Sequence, residues 1–430
     1  MTQEPPCQIR GALTSVLRPA RIVGLAELLG AVVRRRKVDI VALVAALVFG
    51  SLGRQRRTLE GLRRLYERAT GQTLARSSFH ARLNQGLAVL MQVLCGDALA
   101  QAATLGSPLA RRFLKLRKVL LIDSTMVRLS RLLEVHYPSV WTNHTKAAAK
   151  LTVVVNAERR TPERLTIGPA SRHDVHQVTY GPWVYRCLII ADQAFTRSLS
   201  LAEIEAHGGY FLGRLKPPTS PLLERSHLGK NDRLVGKRLA DVSDLLVGDE
   251  VDFDATVPFR SRKPWRYGQL QTRLVGVRIP DGTFHFYLTN LPHDQFSPAA
   301  VAALYAARWE VELLFREMKT ILRAAEMPTS SKAAVDALLY ASILAVLASR
   351  AIHRTLIADR DGRDRYPMER FTALLGAFLD ELVSILIHKA TTHRRLGAAL
   401  ANHLVHEGRD PNVHRVPLGH RLKKASEGHR

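Results

Sequence analysis

The sequence predicts a mixed α/β protein whose strand-containing core is flanked by helical regions on both sides. Two short apolar runs that end in a carboxylate, VLLID at 119–123 and LIIAD at 188–192, are typical of buried strands. β-like runs at 151–156 and 164–170 lie between them. Apolar residues at helical spacing fill the chain before and after this part. This succession of elements favours an α/β core over an all-helical or all-β protein.

The balance of charge indicates the class of partner. The chain has 430 residues, with 63 basic against 38 acidic side chains and a formal net charge of +25. A strongly basic chain most often binds nucleic acid, because neutralised phosphates release their counterions. An anionic membrane surface and a ribosomal environment are the alternatives.

Several features predict a cytoplasmic protein that does not enter a membrane. The longest apolar run, at 40–49, is too short to span a bilayer, and no signal peptide is evident at the N-terminus. The three cysteines are odd in number and far apart, which excludes a disulfide framework and a zinc site.

Changes in the apolar pattern along the chain predict a succession of segments. PPTSP at 217–221 breaks the chain, and alternating β-type runs follow it. The predicted segments are an all-helical DNA-binding region at 1–112, a core at 113–325 that is interrupted by a β-rich insertion at about 217–292, C-terminal helices at 326–408, and a basic tail at 409–430.

The helical N-terminal region contains a candidate DNA-reading element. Ser77 and Ser78 are suited to cap a helix over 79–103, and Arg76 and Arg82 lie at its start. A helix, a turn and a capped basic helix suit a helix-turn-helix reader. The alternative is an ordinary helical bundle with a basic surface.

Asp123 and Asp192 each end a predicted buried strand. Open α/β sheets bind ligands beyond the carboxyl ends of their strands. Each aspartate taken alone is more typical of a turn residue. Two of them together with a third carboxylate from a helix would form an oxygen-rich site suited to Mg²⁺.

The stretch YAARWEVELLFREMK reads as one helix that begins at Tyr305. At about 100° per residue, Tyr305, Arg308, Glu312 and Lys319 lie within a stripe about 60° wide between apolar flanks. The ordinary solvent face of the helix would then include Glu317. The stripe is either a functional site or a buried network of ion pairs, which carries a large desolvation penalty.

The spacing Y-x₂-R-x₃-E-x₆-K resembles the signature of IS4-type DDE transposases, and these four residues match it position for position. The context is also similar to that family: LLIDST at 120–125 and LIIADQAF at 188–195 resemble its two aspartate strands, and YLTNLP at 287–292 precedes the signature helix. The resemblance covers residues from about 115 to 325.

The resemblance implies a ribonuclease H-like catalytic core with a β-rich insertion between the second strand carboxylate and the helix of Glu312. It also implies that Asp123, Asp192 and Glu312 bind two Mg²⁺ ions, for which Mn²⁺ can substitute. Such a pair of ions suits in-line displacement at phosphorus, with water as the first nucleophile and a 3′-hydroxyl as the second.

In the same interpretation Arg308 and Lys319 face phosphates, and Tyr305 helps to place the DNA backbone. A hairpin intermediate with a flipped base is expected by resemblance, and Trp265 is the candidate stacking residue. Its alternative role is that of a core aromatic of the insertion. Asp174 is either an accessory near the metal or a turn residue.

The implied partners are double-stranded DNA, at the inverted repeats of the element ends and at the target, and a second copy of the chain in a synaptic complex. The C-terminal helices are candidates for dimerisation. Two alternatives stay open: a catalytically idle or domesticated DNA-binding regulator with the same fold, and a ribonuclease H-like nuclease.

Overall fold

The computed structural model describes residues 5–32, 38–53, 58–104, 116–140, 145–217, 219–262, 265–322, 327, 329–357, 360, 365–388 and 390–412. The strands are β1 (Lys118–Arg128), β2 (Ala148–Asn156), β3 (Thr161–Pro169), β4 (Cys187–Ala191), β5 (Tyr210–Arg214), β6 (Leu222–Ser226), β7 (Glu250–Arg262), β8 (Trp265–Arg278) and β9 (Phe284–Thr289). The helices are α1 (Pro5–Val16), α2 (Pro19–Leu28), α3 (Ile40–Gly50), α4 (Leu59–Thr70), α5 (Arg76–Arg82), α6 (Gln85–Thr104), α7 (Ser198–Ala206), α8 (Leu239–Val242), α9 (Pro298–Ala306), α10 (Trp309–Leu322), α11 (Lys332–Ile357), α12 (Met368–Leu375), α13 (Leu379–Ile387) and α14 (Ala390–Glu407). The predicted mixed α/β class is confirmed.

The strands form one nine-stranded sheet in the order β3-β2-β1-β4-β5-β9-β8-β7-β6. β1, β2 and β3 form an antiparallel meander. β1 is parallel to β4, and β4 is parallel to β5. β5 then pairs antiparallel with β9. The carboxyl ends of β1 and β4 therefore meet at the same edge of the sheet.

The β-rich part predicted at about 217–292 extends the same sheet. β7 and β8 form a long antiparallel hairpin, and β9 pairs with both β8 and β5. The hairpin thereby continues the hydrogen-bonded ladder of the core strands past β5.

The two faces of the sheet belong to different hydrophobic cores. One face packs under a large helical layer and contributes Val119 and Leu121 of β1 to that core. The other face contributes Leu120 and Ile122, together with residues of α7 and of the hairpin. Successive residues of a strand point to opposite faces, and the two sets therefore alternate.

The helical layer combines helices from both ends of the chain. α1 packs against α11 and α14, α3 packs against α11 and α13, and α6 packs against α11 and β3. The bidentate pair between Arg68 of α4 and Asp380 of α13 joins the same two parts at 3.0 and 3.1 Å. The two predicted helical segments therefore share one core.

α3 lies at the centre of this layer because its sequence is apolar on every side. All ten residues from Ile40 to Phe49 are buried. Asp39 caps the helix, since its Oδ1 accepts the amides of Val41 and Ala42 at 2.8 and 3.0 Å.

Two described helices, α6 and α11, are long and apolar enough to cross a membrane by length and composition. The apolar window of α11 is 89% buried within the protein and that of α6 is 50% buried. A core helix of a folded domain passes the same test, and α11 has that position here.

The helix predicted over 79–103 is wrong in its boundaries. α5 spans Arg76–Arg82, and the helix is interrupted at 83–84 before α6 begins. Asn84 caps α6 by accepting the amide of Leu87 at 2.9 Å. Ser77 and Ser78 lie inside α5 and are not its caps. Asn84 is a residue type suited to an N-cap, and a new helix therefore begins after it.

Candidate active site

Asp123 and Asp192 occupy adjacent positions on neighbouring parallel strands. The parallel register of β1 and β4 ends with Ile122 opposite Ala191, and each aspartate is the next residue along. Neighbouring strands lie about 4.8 Å apart. The structure thus brings together two carboxylates that are 69 positions apart in the sequence.

Both aspartates point to the face that the helical layer covers. Val119 and Leu121 of β1, and Leu188 and Ile190 of β4, all lie in the helical-side core. Alternation along each strand places Asp123 and Asp192 on that same face.

The helix above them is α10. It packs against β1, and its Val311, Leu314 and Phe315 join the helical-side core. Glu312 lies on α10 between those apolar residues and is partly exposed. The prediction that Asp123 ends its strand is wrong, because β1 continues past it to Arg128 in its ladder with β2. The three predicted carboxylates therefore approach from two neighbouring strands and one overlying helix.

The predicted single helix from Tyr305 is in fact two helices. α9 ends at Ala306 and α10 begins at Trp309. In the turn between them Arg308 N donates to Tyr305 O at 2.9 Å, an i→i+3 bond in place of the helical i→i+4 bond. Uniform 100° steps therefore do not hold from Tyr305 onward, whereas Arg308 and Glu312 keep their side-by-side relation.

Arg308 forms an ion pair with Glu312, with 2.6 Å between Nη2 and Oε1. Their side chains are 22% and 33% exposed. The pair is thus accessible to solvent and to a ligand. The guanidinium of Arg308 also lies 6.0 Å above the ring of Tyr305.

The prediction that Glu317 lies on the solvent face of the helix is wrong. Its side chain is 4% exposed and pairs with Arg350 of α11. Trp309, an apolar residue at the start of α10, is 58% exposed. A helical wheel shows one apolar stripe, but α10 is covered by the sheet and by α11 on different sides.

The electrostatics of the site couple the three carboxylates. Burial is the main cause that raises the pKa of Asp123 to about 6; the amide of Ser124 and the charge of Arg308 oppose the shift, and the negative charges of Asp192 and Glu312 add to it. Burial and then the charge of Asp192 raise the pKa of Tyr305 to about 12. Like charges at one location favour a cation there.

Tyr305 also has a packing role. Its ring centroid lies 5.0 Å from that of Tyr287 on β9, and it packs against the helical-side core. This contact ties α9 to the strand that joins the hairpin to β5.

The residues suit a divalent metal in their chemistry. Carboxylate oxygens are the donors that Mg²⁺ and Mn²⁺ prefer. Among the described side chains, no three His, Cys, Asp or Glu converge closely enough to hold an ion as they stand. Glu312 is turned to Arg308, to which it is paired through Oε1.

The remaining predicted DNA contacts are placed only in part. Lys319 belongs to α10 and Trp265 begins β8, but both side chains lie outside the described residues. Arg76 begins α5 and Arg82 ends it, and both are at least partly exposed. Their roles on DNA stay predictions.

Asp174 belongs to a polar network that the sequence did not reveal. It accepts a hydrogen bond from Ser124 Oγ at 2.6 Å and lies 3.2 Å from the ammonium of Lys150, which is buried. Ser124 points to the opposite face from Asp123 by strand alternation. Asp174 therefore supports β1 from behind the carboxylates. The RHD triplet at 172–174 was the available signal, but its buried partner Lys150 lies on β2.

Comparisons with known proteins point to one family. A family model described as a transposase DDE domain matches residues 114–348, more than half of the chain. The putative transposase y4zB of Sinorhizobium fredii is 36% identical over 123 residues, which span 28% of this chain and 32% of that protein. The transposase for insertion sequence element IS231D of Bacillus thuringiensis subsp. finitimus is 20% identical over 380 residues, which span 77% of this chain and 76% of that protein.

The chain is also similar to a solved structure, the cryo-EM structure of a piggyBac transposase synaptic complex with hairpin DNA. The aligned region covers 95% of this chain and 86% of the piggyBac chain. The TM-score is 0.47 and the sequence identity is 11%. The family match includes both aspartates, Glu312 and the sheet that positions them. The chain belongs to the DDE-domain family of transposases.

Proposed function

We propose that this protein cleaves the ends of an insertion sequence and joins them to target DNA by metal-dependent phosphoryl transfer, with Asp123, Asp192 and Glu312 as the metal ligands. The observation that carries the proposal is that two aspartates directly follow the last paired residues of the parallel β1–β4 ladder, beneath the helix that carries Glu312. DDE-family transposases use divalent metal ions. The donor set here has the oxygen chemistry that Mg²⁺ or Mn²⁺ requires.

The catalytic core is proposed to be ribonuclease H-like. The strand order β3-β2-β1-β4-β5, with an antiparallel meander followed by two parallel strands, supports this assignment. The insertion and the helix of Glu312 follow these five strands in the sequence.

The chain's own residues prepare the reaction in a definite way. The sheet holds the backbone at Asp123 and next to Asp192, because β1 and β4 are hydrogen-bonded to each other up to Ile122 and Ala191. Glu312 would hold the metal together with the two aspartates, and the guanidinium of Arg308, which now pairs with Glu312, would bind a phosphate oxygen of the DNA. Bound divalent ions supply activation of the attacking oxygen and stabilisation of the leaving oxygen.

The proposed partners are duplex DNA and a second copy of this chain. The net charge of +25 favours a phosphate-rich partner. Two DNA ends have to be held together for both to be joined to one target, and a homodimer meets that need. Trp265 and Lys319 are proposed as further DNA contacts on the hairpin and on α10.

The test is cleavage of a DNA duplex that contains the inverted repeat from the borders of this gene. Mg²⁺-dependent nicking should be lost in Asp123→Ala, Asp192→Ala and Glu312→Ala. Glu369→Gln is the matched control, because Glu369 is an exposed carboxylate of α12 that pairs with Arg316 and is not one of the proposed ligands. Parent-like cleavage by any of the three alanine variants would show that the assigned triad is wrong.

A further inference from the structure

α10 carries a second ion pair that the proposed reaction does not use. Glu317 lies five residues after Glu312, which is about 140° around the helix and about 7.5 Å along it. The guanidinium of Arg350 on α11 binds Glu317 through two hydrogen bonds, at 2.9 and 2.7 Å. Both side chains are 4% exposed. A bidentate pair of this kind fixes orientation as well as distance.

The pair has further partners on other elements. Thr372 Oγ1 of α12 donates to Glu317 Oε1 at 2.7 Å. Arg350 Nε donates to the backbone carbonyl of Arg160 in the turn between β2 and β3. One buried cluster therefore joins α10 to α11, α12 and the meander of the sheet.

The turn that accepts from Arg350 has an uncommon backbone conformation. Arg160 is not a glycine, yet its φ is 52°. Such a residue persists where its surroundings hold it in place. The hydrogen bond from Arg350 to its carbonyl is one such restraint.

We propose that Glu317, Arg350 and Thr372 form a positioning network that holds α10 at the height and rotation from which Glu312 reaches the metal between Asp123 and Asp192. This inference rests on the proposed function. Buried ion pairs carry a large desolvation penalty and are often replaceable by apolar residues without loss of stability. The property to test is therefore whether this pair fixes the position of α10, and not whether it stabilises the fold.

The position of α10 is expected to affect the affinity of the site for a metal ion. Metal sites lose affinity when the residues that orient their ligands are removed, commonly by 10- to 100-fold. The side chain of Glu312 now pairs with Arg308. Whether its carboxylate reaches a metal held by the aspartates depends on the position of α10. A small displacement of the helix backbone changes that reach directly.

The key variant is the double substitution Glu317→Leu with Arg350→Met, which replaces the pair by apolar side chains of similar size. We expect it to melt near the parent temperature. Its half-saturating Mn²⁺ concentration, measured by calorimetry on the full chain without DNA, should rise about 10-fold. Hydrogen exchange of the α10 amides near Glu312 should also become faster.

A matched control also starts from α10 but pairs with α12. Arg316 of α10 and Glu369 of α12 form a pair at 2.7 Å, with side chains 60% and 52% exposed. The double substitution Arg316→Ala with Glu369→Ala should leave Mn²⁺ affinity and α10 exchange within about twofold of the parent, because exposed pairs contribute little.

Thr372→Val is the milder variant should the double substitution fail to fold. It removes one hydrogen bond to Glu317 and keeps the ion pair, and a smaller rise in the half-saturating Mn²⁺ concentration, about threefold, is expected. Parent-like Mn²⁺ affinity together with parent-like α10 exchange, in whichever of the two variants folds, would overturn the positioning role.

Failure of the proposed function gives a different pattern. In that case Asp123→Asn binds Mn²⁺ as the parent does. Hydrogen exchange of α10 then decides the positioning role by itself, since it reports the placement of the helix without any metal. Unchanged exchange in the double variant would overturn the network, and faster exchange would support it.

Discussion

Two arginine–glutamate pairs on α10 differ in almost every physical respect. Arg308 and Glu312 are neighbours on the chain of one signature segment, partly exposed, with 2.6 Å between Nη2 and Oε1. Glu317 and Arg350 come from different helices, are almost fully buried, and bond through both nitrogen–oxygen pairs. The first pair can exchange partners at low cost, whereas opening the second leaves a buried charge without a partner.

This difference assigns separate tasks to the two sides of one helix. The accessible pair lies over Asp123 and Asp192, where the proposed metal and a DNA phosphate would enter. The buried Glu317 faces α11 and α12, where movement would displace the whole helix.

The largest effect is expected for Glu312→Gln. The amide keeps the shape of the side chain but removes the anionic ligand, and the rate of DNA end cleavage should fall roughly 10⁴-fold, as after loss of a single catalytic carboxylate. The melting temperature should change little, because the substitution relieves repulsion with Asp123 and also removes the partly exposed ion pair with Arg308. A single-turnover cleavage assay with a thermal melt measures both. Cleavage within tenfold of the parent would contradict the assignment of Glu312.

Arg350→Ala should destabilise the protein by about 3–5 kcal/mol, because Glu317 is left buried without its cation. Denaturant unfolding measures this loss. Arg68→Ala removes one partner of an exposed interhelical pair and is the control, with an expected change below about 1 kcal/mol. Equal losses in both variants would remove the distinction between buried and exposed pairs.

The buried cluster also predicts a pH dependence. Burial lowers the pKa of His353 to about 4 from 6.5, while its hydrogen bond with the carbonyl of Tyr366 opposes the shift and the charges of Arg350 and Arg160 add to it. Between pH 6.5 and about 4 the unfolded chain binds a proton that the folded chain does not. Stability from this group is therefore complete above pH 6.5 and falls as the pH drops through this window, by at most about 3 kcal/mol.

His353→Gln keeps a donor for the Tyr366 carbonyl and does not titrate. The free energy of unfolding of this variant, measured from pH 7 to pH 4.5, should decline less steeply than that of the parent. His403→Gln is the control, because His403 is exposed. Identical slopes for the parent and His353→Gln would contradict a neutral buried imidazole.

A smaller effect is expected for Arg308→Lys. Lysine keeps the charge but loses the planar fork that matches a phosphate, and cleavage should slow about tenfold, equivalent to about 1.4 kcal/mol. Its Mn²⁺ affinity should stay close to that of the parent, because the three carboxylates are intact. A large loss of metal binding in this variant would show that Arg308 supports the metal site itself.

The sequence by itself determined the local features of this protein. The two apolar runs that end in Asp123 and Asp192 predicted buried strands, and both runs are strands in the structure, although β1 continues past Asp123. The mixed α/β class and the family followed from the same runs and from the spacing of Tyr305, Arg308 and Glu312. These signals are short-range, because burial and hydrogen bonding leave their pattern within a few residues.

Only the tertiary structure decided how these elements meet. The parallel register that sets Asp123 beside Asp192 depends on β1 and β4, which the meander separates in the sequence. The break before Trp309 and the burial of Glu317 depend on what covers α10, since a helical wheel counts angles and cannot identify a neighbouring helix. Arg350 lies 33 positions from Glu317 and Thr372 lies 55 positions from it. Packing brings such distant residues into contact, and the spacing of residues within one segment cannot predict these contacts.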